Sequence, residues 1–114
     1  MKRELITTDD GSSSFYIPEM EENYHSTNGA VNEALHVFLK KGLEVKKHLP
    51  LVRILEVGFG TGLNTLLTWK KALEENLNIH YTGIEKYPLT AEEISAVNHG
   101  KQLDFESNFK KIHE

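Results

Sequence analysis

The first stretch of the chain alternates in the manner of paired strands. Leu5 to Thr8 and Phe15 to Ile17 are rich in β-branched and aromatic residues, and they flank Asp9-Asp10-Gly11-Ser12, where Asp-Gly is a strong turn signal. A β-hairpin from about Glu4 to Pro18 is predicted. From Glu19 to Thr27 the sequence is polar and irregular. Val31, Ala34, Leu35, Phe38 and Leu39 then recur at the three- and four-residue spacing of one buried helix face. Thr27 or Asn28 is placed to cap this helix, and Gly42 to end or interrupt it.

After Pro50, the run Leu51-Val52-Arg53-Ile54-Leu55-Glu56-Val57 fits a parallel strand covered on both faces. Gly58 to Gly62 reads as a tight turn, and Leu63 to Glu75 as a helix whose apolar residues are Leu63, Leu66, Leu67, Trp69 and Leu73. Ile79 to Glu85 reads as a second strand. Thr90 with Glu93 forms a capping box that opens a helix stopping near Gly100. Phe105, Phe109 and Ile112 are spaced for a last helical stripe. This β-α-β-α order implies a parallel sheet with crossover helices. The fold class is therefore α/β, in a single domain: residues 1–27 as hairpin and loop, 28–48 as helix, and 51–114 as the start of a ligand-binding α/β fold.

Composition narrows the chemistry. Of the 114 residues 39% are hydrophobic and 26% charged, a globular balance. No cysteine is present, which removes disulfides, thiolate metal sites and thiol nucleophiles. The sequence shows no membrane-length apolar run and no signal-peptide pattern, which favours a cytoplasmic protein. The net charge of −4 argues against a nucleic-acid binder held mainly by a basic surface. The pairs Lys40-Lys41, Lys46-Lys47, Lys70-Lys71 and Lys110-Lys111 leave two readings open, a nucleic-acid-facing patch or solvated helix faces. His25, His36, His48, His80, His99 and His113 lack metal-ligand spacing, so no metal is expected.

The sharpest motif is Glu56-Val57-Gly58-Phe59-Gly60-Thr61-Gly62-Leu63-Asn64. Glycines are needed where backbone turns sharply or approaches a ligand closely, and a strand-to-helix turn offers free N–H groups at the ligand edge of an α/β sheet. The dinucleotide fingerprint Gly-x-Gly-x-x-Gly fails at Leu63, and the phosphate loop fails for want of Gly-Lys-Ser/Thr. Glu85 ends the second strand about 20 residues further on, where an acid accepts hydrogen bonds from ribose hydroxyls. A solvated strand-end carboxylate is its plainer alternative, and Glu56 has the similar alternative of bonding to nearby loops.

Glu56 two residues before Gly58 resembles motif I of S-adenosylmethionine-dependent methyltransferases. Together with Glu85-Lys86-Tyr87-Pro88-Leu89-Thr90, and with Tyr24, Ser26, Glu33, Val37 and Phe38 upstream, it resembles more specifically the methyltransferase domain of the tRNA 5-methylaminomethyl-2-thiouridine biosynthesis enzymes, the MnmC/MnmD family. The likeness runs from about Glu4 to about Ile94. It implies a Rossmann-like fold and methyl transfer from S-adenosylmethionine to the aminomethyl group of a tRNA wobble uridine. By the same resemblance, Glu56, Gly58, Gly60, Thr61, Gly62, Asn64, Glu85 and Lys86 are the cofactor-binding candidates. Tyr24, His25 and Ser26 are candidate contacts to substrate or cofactor, His25 and Asn64 having packing or capping roles as alternatives.

The family's catalytic acid lies in an Asp-rich fourth-strand segment with no counterpart here, so it is expected beyond Glu114. Nothing in the sequence matches the flavin-dependent domain of the bifunctional relatives, and strands three to seven of the methyltransferase fold also lack counterparts. The chain is accordingly expected to be the N-terminal part of that domain, truncated. It should have open sheet edges, low stability and weak cofactor affinity, or be completed by a partner or a swapped dimer. Two other readings stay open: a nucleotide-dependent oxidoreductase acting on CH–NH donors, which Leu63 disfavours, and a non-catalytic nucleoside-binding module.

Overall fold

A computed structural model describes residues 2–114. Strands β1 (Glu4–Thr7) and β2 (Ser13–Ile17) pair antiparallel from Glu4 opposite Tyr16 to Thr7 opposite Ser13, which is the predicted hairpin. A short third strand, β3 (Glu22–Asn23), pairs with the end of β2 inside the segment read as irregular. Two residues are too few to carry an alternation, so the sequence pattern does not reveal it.

The following helical rod consists of α1 (Ala30–Glu33), a π-helical stretch Ala34–Leu43, and α2 (Glu44–Lys46). The wider π turn rotates side chains away from the 3.6-residue expectation. Its buried positions, Ala30, Ala34, Leu39 and Leu43, come at steps of four and five. Leu35, expected inside, is 42% exposed as a result. Gly42 neither ends nor interrupts the rod.

Neither Thr27 nor Asn28 caps the rod. Gly29 stands at the N-cap without a side-chain bond, and the hairpin turn supplies the acceptors instead. Thr8 Oγ1 accepts from Ala30 N–H (3.0 Å), Ser12 Oγ from Val31 N–H (3.2 Å) and an Asp10 carboxylate oxygen from Asn32 N–H (3.0 Å). Burial works against ionisation of Asp10. Bonds from the Ser12 hydroxyl, the Asn32 and Ser12 N–H groups and the Thr8 hydroxyl outweigh it and hold the carboxyl at about 2. The orphan donors of a helix start are thus met by tertiary contact.

Strands β4 (Val52–Val57) and β5 (Ile79–Ile84) are parallel, in register from Val52 opposite Ile79 to Val57 opposite Ile84, and α3 (Leu63–Glu75) joins them. The helix limits coincide with those predicted. One face of the pair, carrying Val52, Ile54 and Ile79, packs with Leu39, Leu43, Leu63 and Leu67 in the first core cluster. The opposite face is open: Leu55 is 67%, Val57 76% and Ile84 50% exposed, so the expectation of cover on both faces fails among the described residues. Leu73, read as one of the apolar residues of this helix, is also exposed.

The chain then folds back in three short helices, α4 (Ala91–Ala96), α5 (His99–Gln102) and α6 (Glu106–Ile112). The Thr90/Glu93 capping box is present in both directions. The helix it opens ends at extended Val97, and Gly100 lies inside α5 rather than at a helix end. A Cβ on Gly100 would stand 2.9 Å from the Glu106 Cα, so the glycine serves close helix contact. Phe109 with Phe15, Leu66 and Val97 forms the second core cluster, bringing the hairpin and the last helices together over α3. Among the described residues no helix is long and apolar enough to cross a membrane.

Candidate functional site

The glycine turn leaves the carboxyl end of β4 and meets the carboxyl end of β5. Gly58 and Phe59 both donate backbone N–H bonds to the Ile84 carbonyl (2.9 and 3.0 Å), which draws the turn across the strand ends. Gly58 has φ +89° with nothing within 4 Å of a would-be Cβ, so its open side admits a ligand. Gly62, at φ +81°, is the reverse case. A Cβ there would come within 2.8 Å of both Ile112 Cδ1 and Phe59 Cζ. One glycine keeps space free and the other keeps packing close.

Glu85 follows β5 and is held by two backbone donors. Gly60 N–H donates to Oε1 (2.8 Å) and Tyr87 N–H to Oε2 (3.1 Å). Each oxygen of an ionised carboxylate retains acceptor capacity after one such bond. Two hollows meet at this side chain. One, of about 310 Å³, is lined by Phe59, Gly60, Gly83, Glu85, Leu89 and His113 among others; the second, of about 420 Å³, lies between Val57, Gly58, Ile84, Glu85 and Lys86. Lys86 sits at the rim, its ammonium 5.4 Å from the Tyr87 ring centre. A larger hollow of about 510 Å³ runs between the helical rod and β4 and is mainly apolar, without the glycine turn.

Glu56 turns toward α3 and β5. Its carboxylate accepts from Tyr81 OH (2.7 Å) and Asn64 Nδ2 (2.8 Å), with Thr65 Oγ1 at 3.5 Å. Burial pushes this carboxyl above its ordinary value, opposed by those three donors and reinforced by the charge of Glu85. Asn64 is thereby engaged with Glu56 in the first turn of α3.

Thr61 is buried and points away from the open side of the turn. Its hydroxyl is 2.8 Å from His99 Nε2, and its carbonyl accepts from His113 Nε2 at 2.9 Å. His99 is fully buried, with Nδ1 unpartnered. Burial, with His25 and His113 nearby, holds its imidazole at about 3, so it is neutral at pH 7. Sequence alone does not single out these two histidines; nothing local joins positions 61, 99 and 113, which only the tertiary fold brings together.

The pre-turn candidates divide. Tyr24 reaches the site, its ring carbon Cδ2 lying 3.4 Å from where a Gly60 Cβ would be. His25 bonds Ser14 Oγ through Nδ1 (2.8 Å) and stands 6.1 Å, ring to ring, from His99, behind the turn. Ser26 is elsewhere: its N–H donates to Glu33 and its hydroxyl accepts from Asn28 N–H in the approach to the helical rod. Among the described residues no three His, Asp or Glu side chains gather as a metal site. Three of the paired lysines are engaged with carboxylates. Lys47 and Lys71 each bridge Glu44 and Glu75, at 2.5 to 2.9 Å, and Lys70 pairs with Glu74.

No family model matches the chain. It is 37% identical over 83 residues to the tRNA 5-methylaminomethyl-2-thiouridine biosynthesis bifunctional protein MnmC of Idiomarina loihiensis, an alignment covering 65% of this chain and 14% of that protein. The MnmC protein of Polaromonas naphthalenivorans is 32% identical over 120 residues, covering 97% of this chain and 19% of its own length. The crystal structure of MnmC2 from Aquifex aeolicus matches with a TM-score of 0.64 at 30% identity, over 90% of this chain and 37% of that one. The chain thus spans less than a fifth of the length of these two curated relatives.

Proposed function

This chain belongs to the MnmC family, of whose members it matches one segment, and from that premise we propose that its glycine turn and Glu85 bind the nucleoside of S-adenosylmethionine in a Rossmann-like methyltransferase fold. The acceptor we assign is the aminomethyl group of a tRNA wobble uridine. The observation that carries the reading is the Glu85 carboxylate, held by Gly60 and Tyr87 N–H groups while it lines two hollows at the strand ends. Held in this way it can accept both hydroxyls of a ribose without first reorganising.

The residues present suit that cofactor better than a dinucleotide. Leu63 occupies the place of the third fingerprint glycine and is 1% exposed in the core, so the helix cannot close on a strand there in the way a pyrophosphate site requires. Gly58 leaves open space on the ligand side of the turn, its own N–H being bonded to the Ile84 carbonyl. S-adenosylmethionine supplies an already electrophilic methyl group, and the chain's own contribution is binding and orientation. Glu56 and Asn64 hold the start of α3 against β4, Thr61 fixes the turn through His99 and His113, and Lys86 with Tyr24 forms the rim.

Methyl transfer also needs the acceptor amine unprotonated. Around the cleft the carboxylates among the described residues are Glu85 and Glu114, and His113 is bound to the Thr61 carbonyl. This favours, as a second reading, a nucleoside-binding module without catalysis of its own. Radiolabelled S-adenosylmethionine with tRNA carrying 5-aminomethyl-2-thiouridine separates the two. Label in the wobble nucleoside is the expected result for the methyltransferase; cofactor binding without transfer supports the module. Flavin-dependent oxidation of a carboxymethylated nucleoside, with no methyl transfer, would overturn both.

A further inference from the structure

Arg3 lies far in sequence from the glycine turn and belongs to no motif, yet all five of its N–H donors are used. Nε and Nη2 donate to the two Glu93 oxygens (2.9 and 2.7 Å), Nη1 to Tyr87 O (2.8 Å) and Tyr24 OH (3.2 Å), and Nη2 also to Pro88 O (3.1 Å). Its side chain is 5% exposed. A guanidinium with every donor satisfied is a fixed geometric element rather than a surface charge.

Two of those partners lead to Glu85 by separate routes. The Tyr87 residue whose carbonyl Arg3 binds is the one whose N–H donates to Glu85 Oε2. The Tyr24 ring whose hydroxyl Arg3 binds lies against Gly60, whose N–H donates to Glu85 Oε1. We propose that Arg3 is a positioning residue for the ribose-binding carboxylate, setting the place of both backbone donors that orient Glu85. The inference rests on the reading of Glu85 as the ribose acid. It assigns the first strand a part in cofactor binding without contact to the cofactor. Lysine cannot replace Arg3, because three donors on a flexible stem cannot meet five fixed acceptors.

The test pairs Arg3→Lys with Glu85→Gln. Affinity for S-adenosylhomocysteine is measured by calorimetry, and the Gly60 and Tyr87 amide resonances are followed by NMR without ligand. Glu85→Gln is expected to weaken binding about tenfold or more. Arg3→Lys should weaken it by about five- to tenfold in the wild-type background and leave it unchanged in the Glu85→Gln background. Both amide resonances should move upfield in Arg3→Lys as their bonds to the carboxylate lengthen. If Arg3→Lys leaves too little folded protein, Glu93→Gln takes its place with the same expectations, since glutamine keeps the capping box while loosening the guanidinium.

A merely structural clamp would give an equal loss of affinity in both backgrounds, or unmoved amides, and either result overturns the proposal. Unchanged binding in Glu85→Gln alone would instead overturn the ribose reading. The amide resonances would then still decide whether Arg3 positions Glu85.

Discussion

Gly58 and Gly62 have nearly the same φ, +89° and +81°, and opposite surroundings, so alanine at each should fail differently. Both adopt positive φ, which costs an L-residue about 1–2 kcal/mol. At Gly58 that is the whole folding penalty, because the added methyl meets nothing within 4 Å. At Gly62 the methyl would sit 2.8 Å from Ile112 Cδ1 and Phe59 Cζ and 3.2 Å from His113 Nε2. Forcing a methyl into packed core costs a further 1–3 kcal/mol or so. Gly62→Ala should therefore lose about 2–5 kcal/mol, a large part of the roughly 5–15 kcal/mol of an ordinary domain. Urea unfolding followed by the single tryptophan, Trp69, which packs edge-on to Phe105 at 5.8 Å, reads the difference. With a slope of about 1–3 kcal/mol per molar, the Gly62→Ala midpoint should fall by about 1 M or more, and that of Gly58→Ala by clearly less. Cofactor affinity should show the reverse order among folded molecules, because the Gly58 methyl enters the ligand side. Equal midpoints, or a folded Gly58→Ala with undiminished affinity, would refute the division of labour between the two glycines.

Three further outcomes follow from the packing. His99 is held at about 3 against an ordinary value near 6.5, so the unfolded chain binds more protons than the folded one between those values. Its contribution is complete above pH 6.5 and is lost as pH falls, by at most about 1.4 kcal/mol per unit. His25 and His113, also lowered by burial, act in the same direction, while Asp10 and Glu93, both at about 2, enter only below about pH 4.5. Urea midpoints should drop between pH 7 and 5, with a shallower drop in His99→Gln; parallel profiles would contradict this. Thr8→Val removes the acceptor for the buried Ala30 N–H and should cost about 1–3 kcal/mol in the same assay. Gly42→Ala, helical and with open space around its Cβ, should raise the midpoint, by about 0.5–1 kcal/mol of stability.

What the sequence made legible was local. The Asp-Gly hairpin, the limits of α3 and the Thr90/Glu93 capping box depend on residues within a few positions of one another, and each stands in the structure as expected. Failures came where distant segments decide the outcome. The rod starting at Ala30 is capped by Thr8, Asp10 and Ser12, so its own Thr27 and Asn28 are idle. Its π register displaces Leu35 from the face that a 3.6-residue period assigns it. At the site, Gly58-to-Gly62 and Glu85 could be picked out by glycine spacing and a strand-end acid. Arg3, His99 and His113 could not, because their bonds are to partners 21 to 90 positions away. Ser26, drawn in by likeness to a family pattern, bonds at the approach to the rod instead.

The proposed site for the nucleoside of S-adenosylmethionine consists of the glycine turn and Glu85. Calorimetric titration of the chain with S-adenosylhomocysteine, and in parallel with flavin adenine dinucleotide, tests it most directly. The expected result is binding of the first, weak because the described cleft is open, abolished or strongly weakened in Glu85→Gln, and no binding of the second. Binding of the dinucleotide alone, or S-adenosylhomocysteine affinity indifferent to Glu85, would contradict it.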